Sequence, residues 1–223
     1  MLTILQIGVN MLPLKKSYNT DVFRFKEFIQ EVFDVEKIDN IKNDIPIIKR
    51  ENDQSTKHHK LFYKAMRGKS FSGLYSKFIE DYVCPLYPGP IVVQKFPTFR
   101  ISYPDNIAVG EYHKDRHYRD TEWASIVKEL NFFLPFTNAF DTNTIWVESE
   151  EDKKDFAPMN CNYGEFIKWN GSDLLHGNEI NDTGKTRISI DFRVIEHKNY
   201  QPSEHGSINL NMKFKIGEYY DLY

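Results

Sequence analysis

Two hydrophobic rhythms divide the chain. Up to about residue 90 the apolar positions recur at helical spacing; from Ile91 onward they alternate with polar ones. Val22, Phe25, Phe28, Ile29 and Val32 form one stripe, which predicts a helix from Asp21 to about Val35 capped by Thr20. A second helix is predicted over Lys57–Met66, ended near Gly68. Leu74, Tyr75, Phe78, Ile79 and Tyr82 mark a third over Phe71–Val83. Between the first two lies a polar loop, Asp39 to Lys57, with a short apolar patch at Ile45–Ile48. The run Cys84-Pro-Leu-Tyr-Pro-Gly-Pro then stops the helical region.

Strands follow at short intervals. They are predicted at Ile91–Phe96, Phe99–Ser102, Val109–His113, Leu130–Phe136, Thr144–Glu148, Phe166–Trp169 and Thr186–Ile195. Turn residues at Tyr103-Pro-Asp-Asn, Asn170-Gly171 and Asp182-Thr-Gly184 punctuate them. A first strand is expected at Leu2–Val9 and a last one at Asn209–Ile216. Helices first and many short strands afterwards predict an α+β chain, mainly β, with the helices on one sheet of an antiparallel sandwich. The expected organisation is one domain: a helical support region over 1–90, a β core over 91–197 and an extension over 198–223.

The strand Arg187-Ile-Ser-Ile-Asp-Phe-Arg-Val has the sharpest alternation. Ile188, Ile190, Phe192 and Val194 share one face, and Arg187, Ser189, Asp191 and Arg193 share the other. Ordinary amphipathic alternation would send the polar face to water. If the helices instead cover the apolar face, the polar face looks into the sandwich, where two arginines need an anion or a wet cavity. That reading points to a pocket for a carboxylate or phosphate.

Composition narrows the chemistry. With 29 basic and 32 acidic residues the net charge is −3, which weighs against nucleic acid as a partner. No stretch approaches membrane length, and the apolar start lacks a basic segment, so the expectation is a cytoplasmic protein with no membrane partner. Two cysteines, Cys84 and Cys161, exclude a disulfide scaffold or a Cys-rich zinc module and fit a reducing compartment. Any metal site must therefore be built from the seven histidines and carboxylates.

His113 and Asp115 are two apart at the end of a predicted strand, so both side chains leave one face. Roughly half of one such pair is expected by chance in a chain of this composition, so alone it is weak. His176 follows the Asn170-Gly171 turn, and Arg187 and Ser189 come eleven and thirteen residues later. A His-x-carboxylate pair, a distant His and a downstream Arg are the parts of a facial triad that suits non-haem Fe(II). The arginine would anchor a carboxylate through a bidentate pair.

On these residues the segment Phe99–Ile195 resembles the Fe(II)/2-oxoglutarate-dependent dioxygenases. It lies near the phytanoyl-CoA-hydroxylase-like branch and the oxygenases associated with streptomycin biosynthesis. The family's HxD, distal His and Arg-x-Ser stand here as His113-Lys-Asp115, His176 and Arg187-Ile-Ser189. Thr144–Ser149 and His176–Asn181 resemble the segments flanking the family's site. The resemblance implies a double-stranded β-helix (jelly roll), with His113 and Asp115 on one strand and His176 on a facing one. It implies Fe(II) on His113, Asp115 and His176. The co-substrate 2-oxoglutarate would then be held by Arg187 and Ser189, and O₂ would be consumed to hydroxylate a small molecule with release of succinate and CO₂.

Further candidates carry an alternative each. Asn131 hydrogen-bonds the co-substrate or is a satisfied buried amide. Arg193 holds an anionic substrate or forms a salt bridge to Asp191 or another carboxylate. Trp146 walls the pocket or sits in the core. Glu111 binds a cationic substrate or is a surface acid, and Tyr118, with His117, lies in a lid loop over the site. His58, His59, His197 and His205 have no partner at ligand spacing and are expected at the surface. The competing classes are a cupin-like metal-dependent isomerase and a non-catalytic carbohydrate-binding jelly roll; neither needs an Arg187-x-Ser189 anchor.

Overall fold

The computed structural model describes residues 13–42, 54–108, 111–118, 121–207 and 212–223. The helical stripe of the first region becomes α1 (Phe25–Phe33), α2 (Lys57–Ala65) and α3 (Lys69–Phe78), the last continued by a π turn over Ile79–Val83. Strand β1 (Leu14–Ser17) precedes them, and β2 (Ile91–Gln94) and β3 (Thr98–Ser102) follow. Beyond a short helix, α4 (Thr121–Val127), come β4 (Leu130–Pro135), β5 (Ile145–Val147), β6 (Ala157–Pro158), β7 (Glu165–Trp169), β8 (His176–Asn178), β9 (Arg187–Glu196) and β10 (Tyr220–Leu222).

The strands form two antiparallel sheets. The larger runs β1-β7-β4-β9-β2-β10, with β3 also paired to β9; the smaller runs β6-β5-β8. Strand β9 is the spine, because it pairs with β2, β3 and β4. Its apolar residues Ile188, Ile190, Phe192 and Val194 join Phe25, Ile29, Phe62, Phe71 and Phe78 of the helices in one buried cluster. Ring contacts carry that seam: Phe62 stacks on Phe99 at 4.4 Å, Phe25 on Phe136 at 5.1 Å, and Tyr75 meets Phe192 edge-on at 5.4 Å. The helices therefore cover the apolar face of β9, and its polar face turns inward. A second cluster, including Phe133, Ile145, Val147, Ile167 and Trp169, fills the space between the two sheets. Among the described residues no helix is long and apolar enough to cross a membrane.

Several expectations are corrected. Thr20 caps no helix: Asn19 closes a turn instead, its side chain accepting from the Asp21 amide at 2.9 Å and its carbonyl from the Phe23 amide at 2.9 Å. Helix α1 then starts only at Phe25, a fully buried anchor. No strand forms over the described part of Val109–His113; His113 makes one isolated bridge, to His176. Asp115 opens a short 3-10 turn, Asp115–Tyr118, so the HxD pair does not lie on one strand. His117 is exposed on that turn. The described part of Asn209–Ile216, residues 212–216, forms no strand; the last described strand is Tyr220–Leu222, where buried Tyr220 anchors the tail against β2 and donates to Glu129 at 2.6 Å. Residues 208–211 lie outside the described residues, as do Leu2–Val9 and Ile45–Ile48.

His197 and His205 are exposed as expected, but His58 and His59 are not. Both sit on α2 against the aromatic layer: His58 lies 4.7 Å from Phe33, and His59 meets Phe99 edge-on at 5.2 Å. Nδ1 of His58 bonds the Tyr103 hydroxyl at 2.6 Å, and Nδ1 of His59 bonds Thr56 Oγ1 at 2.8 Å. Burial, with Arg100 and His58 adding repulsion, lowers His59 from 6.5 to about 3. The unfolded chain therefore takes a proton that the folded chain refuses. Stability held by neutral His59 is complete above about pH 6.5 and is lost as the pH falls toward 3. Between pH 7 and pH 5 this removes about 2 kcal/mol. Urea midpoints at the two pH values measure the loss, and His59→Gln is expected to flatten it.

Candidate metal centre

The inward face of β9 lines a cavity between the sheets. Arg100, His113, Asp115, Asn131, Trp169, His176, Arg187, Asp191 and Arg193 all border it. Register explains the meeting. Asn131 pairs with Arg193 and Trp169 pairs with Asn131 across β4, while Arg100 pairs with Ser189 across β3. Paired residues share a face, so the polar residues of four strands converge.

His113 and His176 are joined by their backbones. Each amide donates to the other's carbonyl, at 2.8 and 3.0 Å, and the rings stand 4.4 Å apart. The Asn170 turn delivers His176: the Asn170 side chain accepts from the Asp173 amide at 3.2 Å, and its carbonyl from the Leu174 amide at 3.1 Å. Buried Glu148 fixes the next residue, accepting from the Leu175 amide at 2.6 Å. Asp115 is held by its own amide, which donates to the Gly171 carbonyl at 2.9 Å.

The tautomers follow from the partners. Nδ1 of His113 lies 2.8 Å from the Glu111 carbonyl, and Nδ1 of His176 lies 2.9 Å from the Leu174 carbonyl. A carbonyl only accepts, so each Nδ1 carries the proton and each Nε2 presents a lone pair. Both lone pairs face one carboxylate oxygen: Asp115 Oδ1 is 3.5 Å from His113 Nε2 and 3.8 Å from His176 Nε2. The three side chains offer ligand atoms all within 4.8 Å of one another. Two neutral imidazoles and one carboxylate fit a divalent first-row metal such as Fe(II).

Electrostatics keep this set ready. Burial lowers His176, with Asp115 opposing, so the ring stays neutral at neutral pH. Burial alone would raise Asp115, but the Arg193 guanidinium and the hydrogen bond from Asn131 hold it well below the usual carboxylate range. Burial would equally lower Arg193, but Asp115 raises it. Trp169 closes one side, its ring edge-on to His176 at 4.7 Å.

Arg187 is 1% exposed, deep in the same cavity. Its Nε donates to the Asn143 carbonyl at 2.9 Å and its Nη1 to Ser189 Oγ at 2.8 Å. Burial lowers it to about 10, with Asp191 opposing and Arg100 adding to the fall, so the guanidinium stays charged at neutral pH. No carboxylate of the described residues forms an ion pair with it, which leaves a buried cation facing a cavity.

The weaker candidates divide. Arg193 forms the salt bridge of its alternative reading, but to Asp115, at 2.9 Å. Asn131 lines the cavity and donates to the same Asp115 oxygen at 2.7 Å. Glu111 is exposed, and its carbonyl meets His113 Nδ1. Trp146 is paired with Gly177, and its flanking residues Ile145 and Val147 belong to the core between the sheets, so the indole points away from that core, its Nε1 donating to the Asp141 carbonyl at 3.1 Å. The Tyr118 side chain lies outside the described residues. Arg100 and Gly171 were not singled out in advance. Arg100 donates to Asp191 at 3.2 Å inside the cavity, and its alternation with Phe99 and Ile101 is the signal that marks it.

Lys114 and Arg116, either side of Asp115, tie the turn down. Lys114 bonds Glu151 at 3.0 Å and Asp152 at 2.8 Å, and Arg116 bonds Asp173 at 3.0 Å and Glu151. The candidate ligand Asp115 thus sits among stitched loops.

Two histidines and an aspartate between antiparallel sheets, beside a buried arginine, define the site as one of the facial-triad class. No family model matches the chain. Over 206 residues it is 31% identical to the streptomycin biosynthesis protein StrG of Streptomyces griseus, covering 92% of this chain and 95% of that one. The chain belongs to the family of that streptomycin biosynthesis protein. Among solved structures it is similar to AviO1 of Streptomyces viridochromogenes Tue57, with a TM-score of 0.45 and 14% identity over 83% of this chain and 90% of that one. It is also similar to EctD of S. alaskensis, with a TM-score of 0.48 and 9% identity over 85% and 75%.

Proposed function

We propose that the chain is a non-haem Fe(II)- and 2-oxoglutarate-dependent oxygenase that hydroxylates a small molecule, releasing succinate and CO₂. The observation that carries the proposal is one cavity holding both a converging His113–Asp115–His176 set and a buried Arg187 that forms an ion pair with no carboxylate of the described residues. In this reading the two sheets are the faces of a double-stranded β-helix.

Bound iron supplies O₂ activation, with 2-oxoglutarate as the two-electron reductant. The rest is the work of the chain. Nε2 of His113, Nε2 of His176 and Oδ1 of Asp115 would hold the ion, and the backbone carbonyls on each Nδ1 fix the ring planes. Arg187 neutralises the far carboxylate of the co-substrate, and the Ser189 hydroxyl turns toward it. Trp169 and Ile145 exclude water from the reacting end. An isomerase of the same shape has no use for the Arg187 anchor.

The test is a stoichiometry. Protein loaded anaerobically with Fe(II) and then given O₂ and 2-oxoglutarate is expected to form succinate, at a rate raised by the right member of a small-molecule panel. Succinate formation that does not depend on Fe(II), or none with any member of the panel, counts against the proposal.

A further inference from the structure

A carboxylate that binds a metal through one oxygen must have its other oxygen occupied, or it rotates or chelates with both. Asp115 Oδ2 is occupied twice: Asn131 Nδ2 donates at 2.7 Å and Arg193 Nη2 at 2.9 Å. Both donors fall on Oδ2, and Oδ1 alone faces the two imidazole lone pairs. The assignment of the Asn131 amide follows from charge, because its oxygen turned toward a carboxylate would be repelled.

Asn131 is in turn held by an absence. A Cβ on Gly171 would lie 2.8 Å from Asn131 Cγ and Nδ2 and 2.9 Å from Oδ1. Such contacts do not occur between real atoms, so any side chain at 171 displaces the amide. Gly171 has no positive φ, so alanine there strains no backbone. Its carbonyl meanwhile accepts from the Asp115 amide. The glycine read from the sequence as a turn residue touches the metal ligand through both its backbone and its missing side chain.

We infer that Asn131, Arg193 and Gly171 form a positioning set that presents Asp115 as a one-oxygen ligand, with Gly171 providing the clearance that keeps Asn131 on Oδ2. The inference rests on reading His113, Asp115 and His176 as a metal centre. Gly171 and Asn131 then act on the metal as one unit, and their substitutions are not additive.

The test is a double-mutant cycle on metal affinity, read by calorimetry with Mn(II), which needs neither O₂ nor turnover. Asn131→Ala removes one charge-assisted hydrogen bond, and Gly171→Ala removes the same bond by displacement. Each is expected to raise the Mn(II) Kd about tenfold. The double variant is expected to match Asn131→Ala alone, since the clash has lost its target. Thermal melting gives the second readout: adding Asn131→Ala should restore the stability that Gly171→Ala costs, even if Gly171→Ala alone folds poorly. An unchanged Kd in Gly171→Ala, an additive loss of about a hundredfold in the double variant, or a double variant less stable than Gly171→Ala overturns the inference. A wild-type protein that binds no Mn(II) or Fe(II) overturns the metal centre itself, and is told apart by that fact.

Discussion

His176→Ala is expected to abolish stoichiometric Fe(II) or Mn(II) binding while the far-UV circular dichroism stays that of a folded chain. The ring supplies one of only three protein ligand atoms in the cluster. Its Nε2 is committed to the cavity by the Leu174 carbonyl on Nδ1, so no rotation of a neighbour replaces it. The loss should exceed the roughly 10- to 100-fold that removal of an outer partner costs. Packing against Trp169 is also lost, so some thermal destabilisation accompanies the change. Exposed His197→Ala serves as the control and is expected to bind metal as the wild type does. Calorimetric titration of both variants decides it; tight binding by His176→Ala would place the metal elsewhere.

Arg187→Ala is expected to separate the two halves of the site. Metal affinity is unchanged, because among the described residues Arg187 hydrogen-bonds Asn143 and Ser189 and none of the three candidate ligands. Affinity for 2-oxoglutarate falls by about a hundredfold, the equivalent of one charged contact of about 2–3 kcal/mol. Lysine at 187 recovers part of the loss at most, since it keeps the charge and gives up the planar fork. Equal weakening of metal and co-substrate would instead mark Arg187 as a structural residue.

What the sequence made legible was the alternation of β9. Four apolar residues on one face and four polar ones on the other, beside a helical first region, raised an inward polar face as one of two readings, and the helices do cover the apolar face. The pairing Asp115–His176 was harder to read, since they are 61 residues apart and His-x-Asp spacing is common by chance. It became visible through the family resemblance and the Arg187–Ser189 spacing. The structure then moved Asp115 off the expected strand and onto a 3-10 turn, a local choice decided by the Gly171 carbonyl across the fold.

Other features were invisible for the same physical reason. Arg193 and Asn131 each had a plausible ligand to bind, and only the register across β4 reveals that both reach Asp115. Gly171 looked like any glycine after an asparagine in a turn; its function depends on a side chain forty residues earlier. His58 and His59 are polar letters in a helix that happens to dock on Phe33 and Phe99. Tertiary packing, not local preference, decided all of these.

The most direct single measurement is anaerobic titration of Fe(II)-loaded protein with 2-oxoglutarate, followed by visible absorption. The expected result is a metal-to-ligand charge-transfer band that saturates at one co-substrate per iron, is absent in His113→Ala, and in Arg187→Ala appears only at far higher 2-oxoglutarate. No band in the wild type, or a band indifferent to both substitutions, would contradict the assignment of this cavity as the site where iron and 2-oxoglutarate meet.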